Sequence, residues 1–129
     1  MKTLKLLLII LSFLFISCEK DNEIKNTQVS LLKQTWLHSY EESFNIYRPI
    51  DYQNFTGSRY RQFFTFKDNN ICSYSVCAAN DAHYGENGKW NLNTDNNILE
   101  IRNLKSEVLY KFRIIELDED LLKVELIDN

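Results

Sequence analysis

The feature that most constrains this chain is a short apolar–polar alternation that recurs, closed each time by a run of Asp and Asn. Phe64 and Phe66 precede Lys67-Asp68-Asn69-Asn70, and Ile71 to Ala78 follow. Trp90 and Leu92 precede Asn93-Thr94-Asp95-Asn96-Asn97, with Ile98 to Arg102 after them. Ile114 to Leu117 lead into Asp118-Glu119-Asp120, and Leu121 to Ile127 come next. A period of two places alternate side chains on opposite faces of a strand. Asn and Asp tolerate the left-handed backbone that tight hairpins need. The chain has only three glycines and one proline in 129 residues, so these residues must carry the turns. Hairpins at this spacing predict an all-β domain of about seven or eight antiparallel strands. Such a meander closes into a small up-and-down barrel or folds as a sandwich.

The same alternation sorts the faces. Tyr60, Gln62, Phe64 and Phe66 fall on one side of their strand, with Arg59, Arg61, Thr65 and Lys67 opposite. Cys72, Tyr74, Val76 and Ala78 oppose Ser73, Ser75 and Cys77. Leu99 and Ile101 continue the pattern, as do Val108, Tyr110, Phe112 and Ile114, then Leu122, Val124 and Leu126. One apolar face per strand specifies a single core with a solvated exterior. Before the first strand, Val29, Leu32, Trp36 and Leu37 fit helical spacing with Ser30 as N-cap. A short helical turn there leads into a strand on which Trp36, His38 and Tyr40 face together. Residues 43–58, which hold Pro49 and Gly57, form an irregular connection with room for a short strand near Ile46.

The amino terminus carries a different signal. Lys2 and Lys5 precede Leu6 to Ile16, which is apolar apart from Ser12. A basic start and an apolar run too short to span a bilayer make a secretory signal. The run ends in Phe15-Ile16-Ser17-Cys18, which resembles the lipobox of bacterial lipoproteins. That resemblance implies cleavage before Cys18 and diacylglycerol on its thiol. The expected organisation is a signal peptide over 1–17, an acylated cysteine and flexible tether over 18–28, and one domain over 29–129. The alternative is an ordinary signal with an incidental cysteine. Several acyl chains on one residue give a stable anchor, because each buried methylene adds about 0.8 kcal/mol. The polar, mostly acidic Glu19-Lys20-Asp21-Asn22-Glu23 resembles the tether of Bacteroidetes lipoproteins, associated with export to the cell surface; a generic flexible tether is the alternative.

Composition narrows the partners. The chain has 15 basic and 18 acidic residues; losing Lys2 and Lys5 leaves 13 against 18, a mature charge of −5. No basic patch suits nucleic acid. Cys72 and Cys77 would lie in one strand, separated by roughly 16 Å at about 3.3 Å per residue. A disulfide needs Cα atoms within about 7 Å, so two free thiols are expected, with a bridge through a distorted strand as the alternative. Their spacing supports no zinc site, and no cofactor is implied.

The chain also resembles the lipocalin-like lipoproteins found in Bacteroidetes. The likeness rests on the lipobox and tether, on Thr35-Trp36 opening the first strand, and on Gly88-Lys89-Trp90 opening a middle strand. The aromatic-x-Phe run, Asp/Asn turn and Gly-x-Trp order extends it over about residues 34–127. The family implies a barrel of about eight strands, and most of its members have no assigned activity.

Three groups are candidates for chemistry. His38, Tyr40, Tyr60, Gln62, Tyr74 and Trp90 form an inward set that either lines a ligand pocket or fills the barrel. Asp81 and His83 lie in the unusual segment between Cys77 and Gly88; they offer an acid/base pair or metal ligands, against simple turn architecture. Arg59 and Arg61 share a face, near Arg48 in sequence, and suit an anion, against a solvated outer face. No phosphate loop, triad, zinc motif or dinucleotide fingerprint is present, and no nucleophile is coupled to a base. The sequence therefore favours a non-enzymatic protein on the outer face of a membrane, in the bacterial cell envelope. Its barrel holds a small apolar or amphipathic ligand, or its loops at 43–58 and 78–88 bind an envelope protein as an inhibitor, immunity or assembly factor.

Overall fold

The structure, a computed structural model, describes residues 23–57 and 59–128. The signal segment, Cys18 and the start of the tether lie outside the described residues. The chain divides into two units, residues 1–30 and 31–129. Residues 23–32 form a helix, α1, whose last two residues belong to the second unit. It begins well before Val29, so Ser30 lies inside it and is not its N-cap. Residues 23–28, expected as tether, are helical. Their Glu, Lys and Gln are good helix formers, and the Thr27 hydroxyl bonds back to the Glu23 carbonyl at 2.9 Å.

Eight strands follow: β1 Thr35–His38, β2 Ile46–Pro49, β3 Phe63–Phe66, β4 Ile71–Cys77, β5 His83–Asn93, β6 Ile98–Asn103, β7 Val108–Leu117 and β8 Leu122–Leu126. All pair antiparallel and close into a barrel in the order β1-β2-β8-β7-β6-β5-β4-β3. Strands β3 to β8 form the expected meander. The β1–β2 hairpin departs from sequential order, because β1 sits between β2 and β3. The 50–62 connection must therefore return from the start of β1, where Ile50 N–H bonds to Thr35 O, to its end, where His38 N–H bonds to Gln62 O.

Arg61 pins that connection. Its guanidinium donates to both Glu41 carboxylate oxygens (2.6 and 2.7 Å), to His38 O and to Thr56 O. Its carbon lies 4.2 Å from the centre of the Phe55 ring, and only 8% of the residue is exposed. The expected solvated arginine face is thereby corrected at Arg61. A strand-parity argument cannot see a partner supplied by another loop.

The turns form as their residues dictate. Asn69, Asn70 and Asn97 adopt positive φ. Two β-bulges sit in β7: one falls between the Ile101 and Arg102 pairings, the other between those of Ile114 and Glu116. They break the alternation, so Val108 pairs with the outward Arg102, and Ile115 is exposed. β5 starts at His83, so the expected 78–88 loop shrinks to residues 78–82.

One barrel end is plugged. Leu32, Trp36, Phe66 and Trp90 are buried there, and both indoles donate to backbone carbonyls, Trp36 to Leu32 O and Trp90 to Lys67 O, each at 3.0 Å. These bonds let polar ring edges be buried without penalty. Above them Phe64 touches Phe66, Tyr110 and Phe112 with ring centres 5.1 to 6.1 Å apart, filling the middle of the barrel.

Candidate functional site

The opposite end is the mouth. It gathers the ends of β1, β4 and β6 and the starts of β3, β5 and β7. β2 begins at Ile46 opposite Lys123, so β8 runs on without that neighbour, and Leu126 is 62% exposed although it shares the inward face of Phe112. Phe44, in the adjacent β1–β2 loop, is 85% exposed.

Register builds the site. Tyr74 pairs with Glu86, and partners across an antiparallel ladder share a face, so Glu86, itself exposed, stands at the rim on the same side of the sheet as the buried Tyr74. The Tyr74 hydroxyl donates to Glu86 Oε2 at 3.3 Å. Gly88, opposite Cys72, leaves the space that Tyr74 uses. A Cβ there would collide with the Arg102 carbonyl and come within 2.9 Å of the Tyr74 ring. Burial and the Glu86 carboxylate push the Tyr74 hydroxyl up to about 12. The β4 stretch Tyr74 to Cys77, with Glu86, Asn103, Leu109 and Tyr110, lines an open cleft of about 370 Å³.

A polar layer adjoins the cleft. Gln62 accepts from the Tyr47 hydroxyl at 3.1 Å and donates to the Tyr110 hydroxyl at 3.2 Å. His38 stacks on Tyr47 with centres 4.9 Å apart and meets Tyr40 edge-on at 3.9 Å. Its Nε2 lies 2.8 Å from the Phe44 carbonyl, which can only accept, so Nε2 carries the proton. Nδ1 is then a buried acceptor without a partner among the described residues. Burial lowers the His38 pKa, against the opposing effect of that carbonyl. Burial likewise raises the Tyr47 hydroxyl well above its usual range.

The structure redistributes the residues singled out by the sequence. His38, Gln62 and Tyr74 gather at the mouth, with Tyr40 half-exposed beside them. Trp90 is inward but belongs to the plugged end. Tyr60 is not inward at all: it precedes β3 and stacks on His83 at 3.7 Å. Asp81 sits at the turn apex with φ of 61°, its amide bonded to Ala78 O, while His83 opens β5, so the two make a turn and a ring stack. Arg59 is exposed and lines a groove of about 560 Å³ with Glu41, Thr56 and Gly57. Arg61 is consumed by Glu41, whose carboxyl its hydrogen bonds hold far below the usual range, so the two arginines form no joint anion site.

Cys72 is buried and Cys77 exposed, both as free thiols; burial pushes Cys72 up to about 11. Tyr47, Glu86 and Leu109 were not among the candidates. Glu86 was readable by counting back from the inward Trp90 in steps of two, had β5 been extended through its two glycines. Among the described residues no group of three or more His, Cys, Asp or Glu is placed to hold a metal ion.

No curated protein and no solved structure matches the chain. A family model for the lipocalin-like domain matches residues 32–124, from the end of α1 into β8. With the closed eight-stranded antiparallel barrel, that match over most of the chain shows that the protein belongs to the lipocalin-like domain family.

Proposed function

We propose that this protein is a non-enzymatic binding module that holds a small amphipathic molecule in the open mouth of its barrel. It is tethered through lipid on Cys18 to the bacterial cell envelope, with the outer membrane as the site. The observation that carries the reading is the cleft above a filled core: about 370 Å³, within the range of about 300–1,000 Å³ usual for small-ligand sites. Its walls combine two tyrosines, two aliphatic side chains and a thiol with a carboxylate, an amide and a serine, the mixture that orients an amphipathic ligand.

Native mass spectrometry of protein isolated gently from its own cells tests the reading. A discrete added mass that disappears on denaturation is the expected result. A bare polypeptide from every gentle preparation contradicts it.

A second reading draws on the exposed Phe44 and Ile50, both in the 43–58 segment. Large apolar side chains at loop tips suit a protein partner in the envelope. Cross-linking from positions 44 and 50 that captures one defined protein, lost in Phe44→Ser, supports that role. Unchanged capture by the variant excludes it.

A further inference from the structure

The polar groups of the mouth are unevenly matched, and the imbalance specifies a ligand charge. Glu42 is paired with Arg48 at 2.7 Å and Glu41 with Arg61 at 2.6 Å, so the acids of the neighbouring β1–β2 loop are neutralised. Glu86 is different. Among the described residues no lysine or arginine forms an ion pair with this exposed carboxylate, and the Tyr74 hydroxyl donates to it. No lysine or arginine lines the cleft. Arg102, on the neighbouring outward position, is turned to Glu100 and to the Ser106 carbonyl. The cleft therefore holds one carboxylate and no fixed cation.

Building on the reading of the mouth as a binding site, we infer that its ligand carries a cationic head, an ammonium or similar group, attached to a short apolar body. Glu86 would form the charge-assisted hydrogen bond, with the half-buried Tyr110 ring beside the same cation. Val76 and Leu109 would cover the apolar body. An anionic head in this place would meet an unpaired carboxylate and no cation, so fatty acids are disfavoured by the same geometry.

Calorimetric titration of the full chain at pH 7 with hexylamine, hexanol and hexanoate tests this, because the three share an apolar body and differ in the head. The amine is expected to bind about tenfold more tightly than the alcohol, with hexanoate weakest. In Glu86→Gln the ratio of amine to alcohol affinity should fall to about one. The comparison among the three probes uses the unaltered protein, so it stands even if the variant is unstable. Hexanol or hexanoate binding as tightly as hexylamine overturns the cationic ligand while leaving the mouth as a binding site. An amine preference that survives in folded Glu86→Gln also overturns it. Binding of none of the three removes the reading of the mouth and the inference with it.

Discussion

At the scale of single residues, His38 and Gly88 show how the mouth is held. The folded protein keeps His38 neutral, because burial lowers its pKa from 6.5. The unfolded chain takes up a proton near 6.5 that the folded chain refuses, so stability falls as the pH drops below that value. The loss levels off once the pH passes the folded pKa. Glu41 acts in the same direction further down: its folded pKa is depressed, so stability present above about 4.5 is lost as acid protonates it. Urea midpoints between pH 7.5 and 5 should therefore fall in the wild type and stay flatter in His38→Gln. Equal slopes would show that His38 is not the titrating group. At Gly88 the requirement is space: Gly88→Ala should cost about 1–3 kcal/mol in urea unfolding, since its Cβ meets the backbone of β6. A neutral result would mean that β5 and β6 separate easily there.

At the scale of elements, the hairpins and the 50–62 connection rest on different kinds of residue. Asn97 holds φ at 58°, a conformation costing a β-branched residue about 1–2 kcal/mol. Asn97→Val should lose that much, and Asn97→Gly should stay close to the wild type; thermal unfolding of the pair checks it. The connection depends on Arg61 instead. Arg61→Gln should speed amide exchange through residues 50–62 well before it affects β5 to β7, because it releases Glu41, Thr56 and the Phe55 ring together. Uniform exchange across the barrel would mean that Arg61 supports the whole fold.

This contrast also explains what was legible. Strands β4, β6, β7 and β8 were readable because alternation and Asn/Asp turns are local signals. The start of β5 was not: His83 to Gly88 contains two glycines and few good strand formers, and only pairing with β4 makes it a strand. The reversed β1–β2 hairpin was equally hidden, since its register is set by contacts between distant segments. The site was half legible for the same reason. Parity brought His38, Gln62 and Tyr74 to one face, but it could not see that Tyr60 leaves the strand for His83, or that Glu86 stands beside Tyr74 at the rim.

At the scale of the whole molecule, a filled lower core and an open mouth divide the barrel between stability and the proposed binding. Aromatic rings from Trp90 up to Tyr110 leave no need for a ligand to complete the core. The protein should therefore fold without its ligand, and ligand should raise its midpoint only by mass action. The proposed anchoring would be a separate property of the amino terminus. Cys18→Ala should move the protein from the membrane pellet to the soluble fraction and leave ligand affinity unchanged, because Cys18 lies far from the mouth in sequence. Retention in the pellet would argue against a lipid anchor.

The most direct test of the binding mouth is amide chemical-shift mapping during titration with hexanol, whose small neutral body depends on no assumption about charge. Saturable shifts confined to Tyr74–Val76, Glu86 and Leu109–Tyr110 are the predicted result. Shifts that do not saturate, or that gather at 43–58 and spare the cleft, would contradict it.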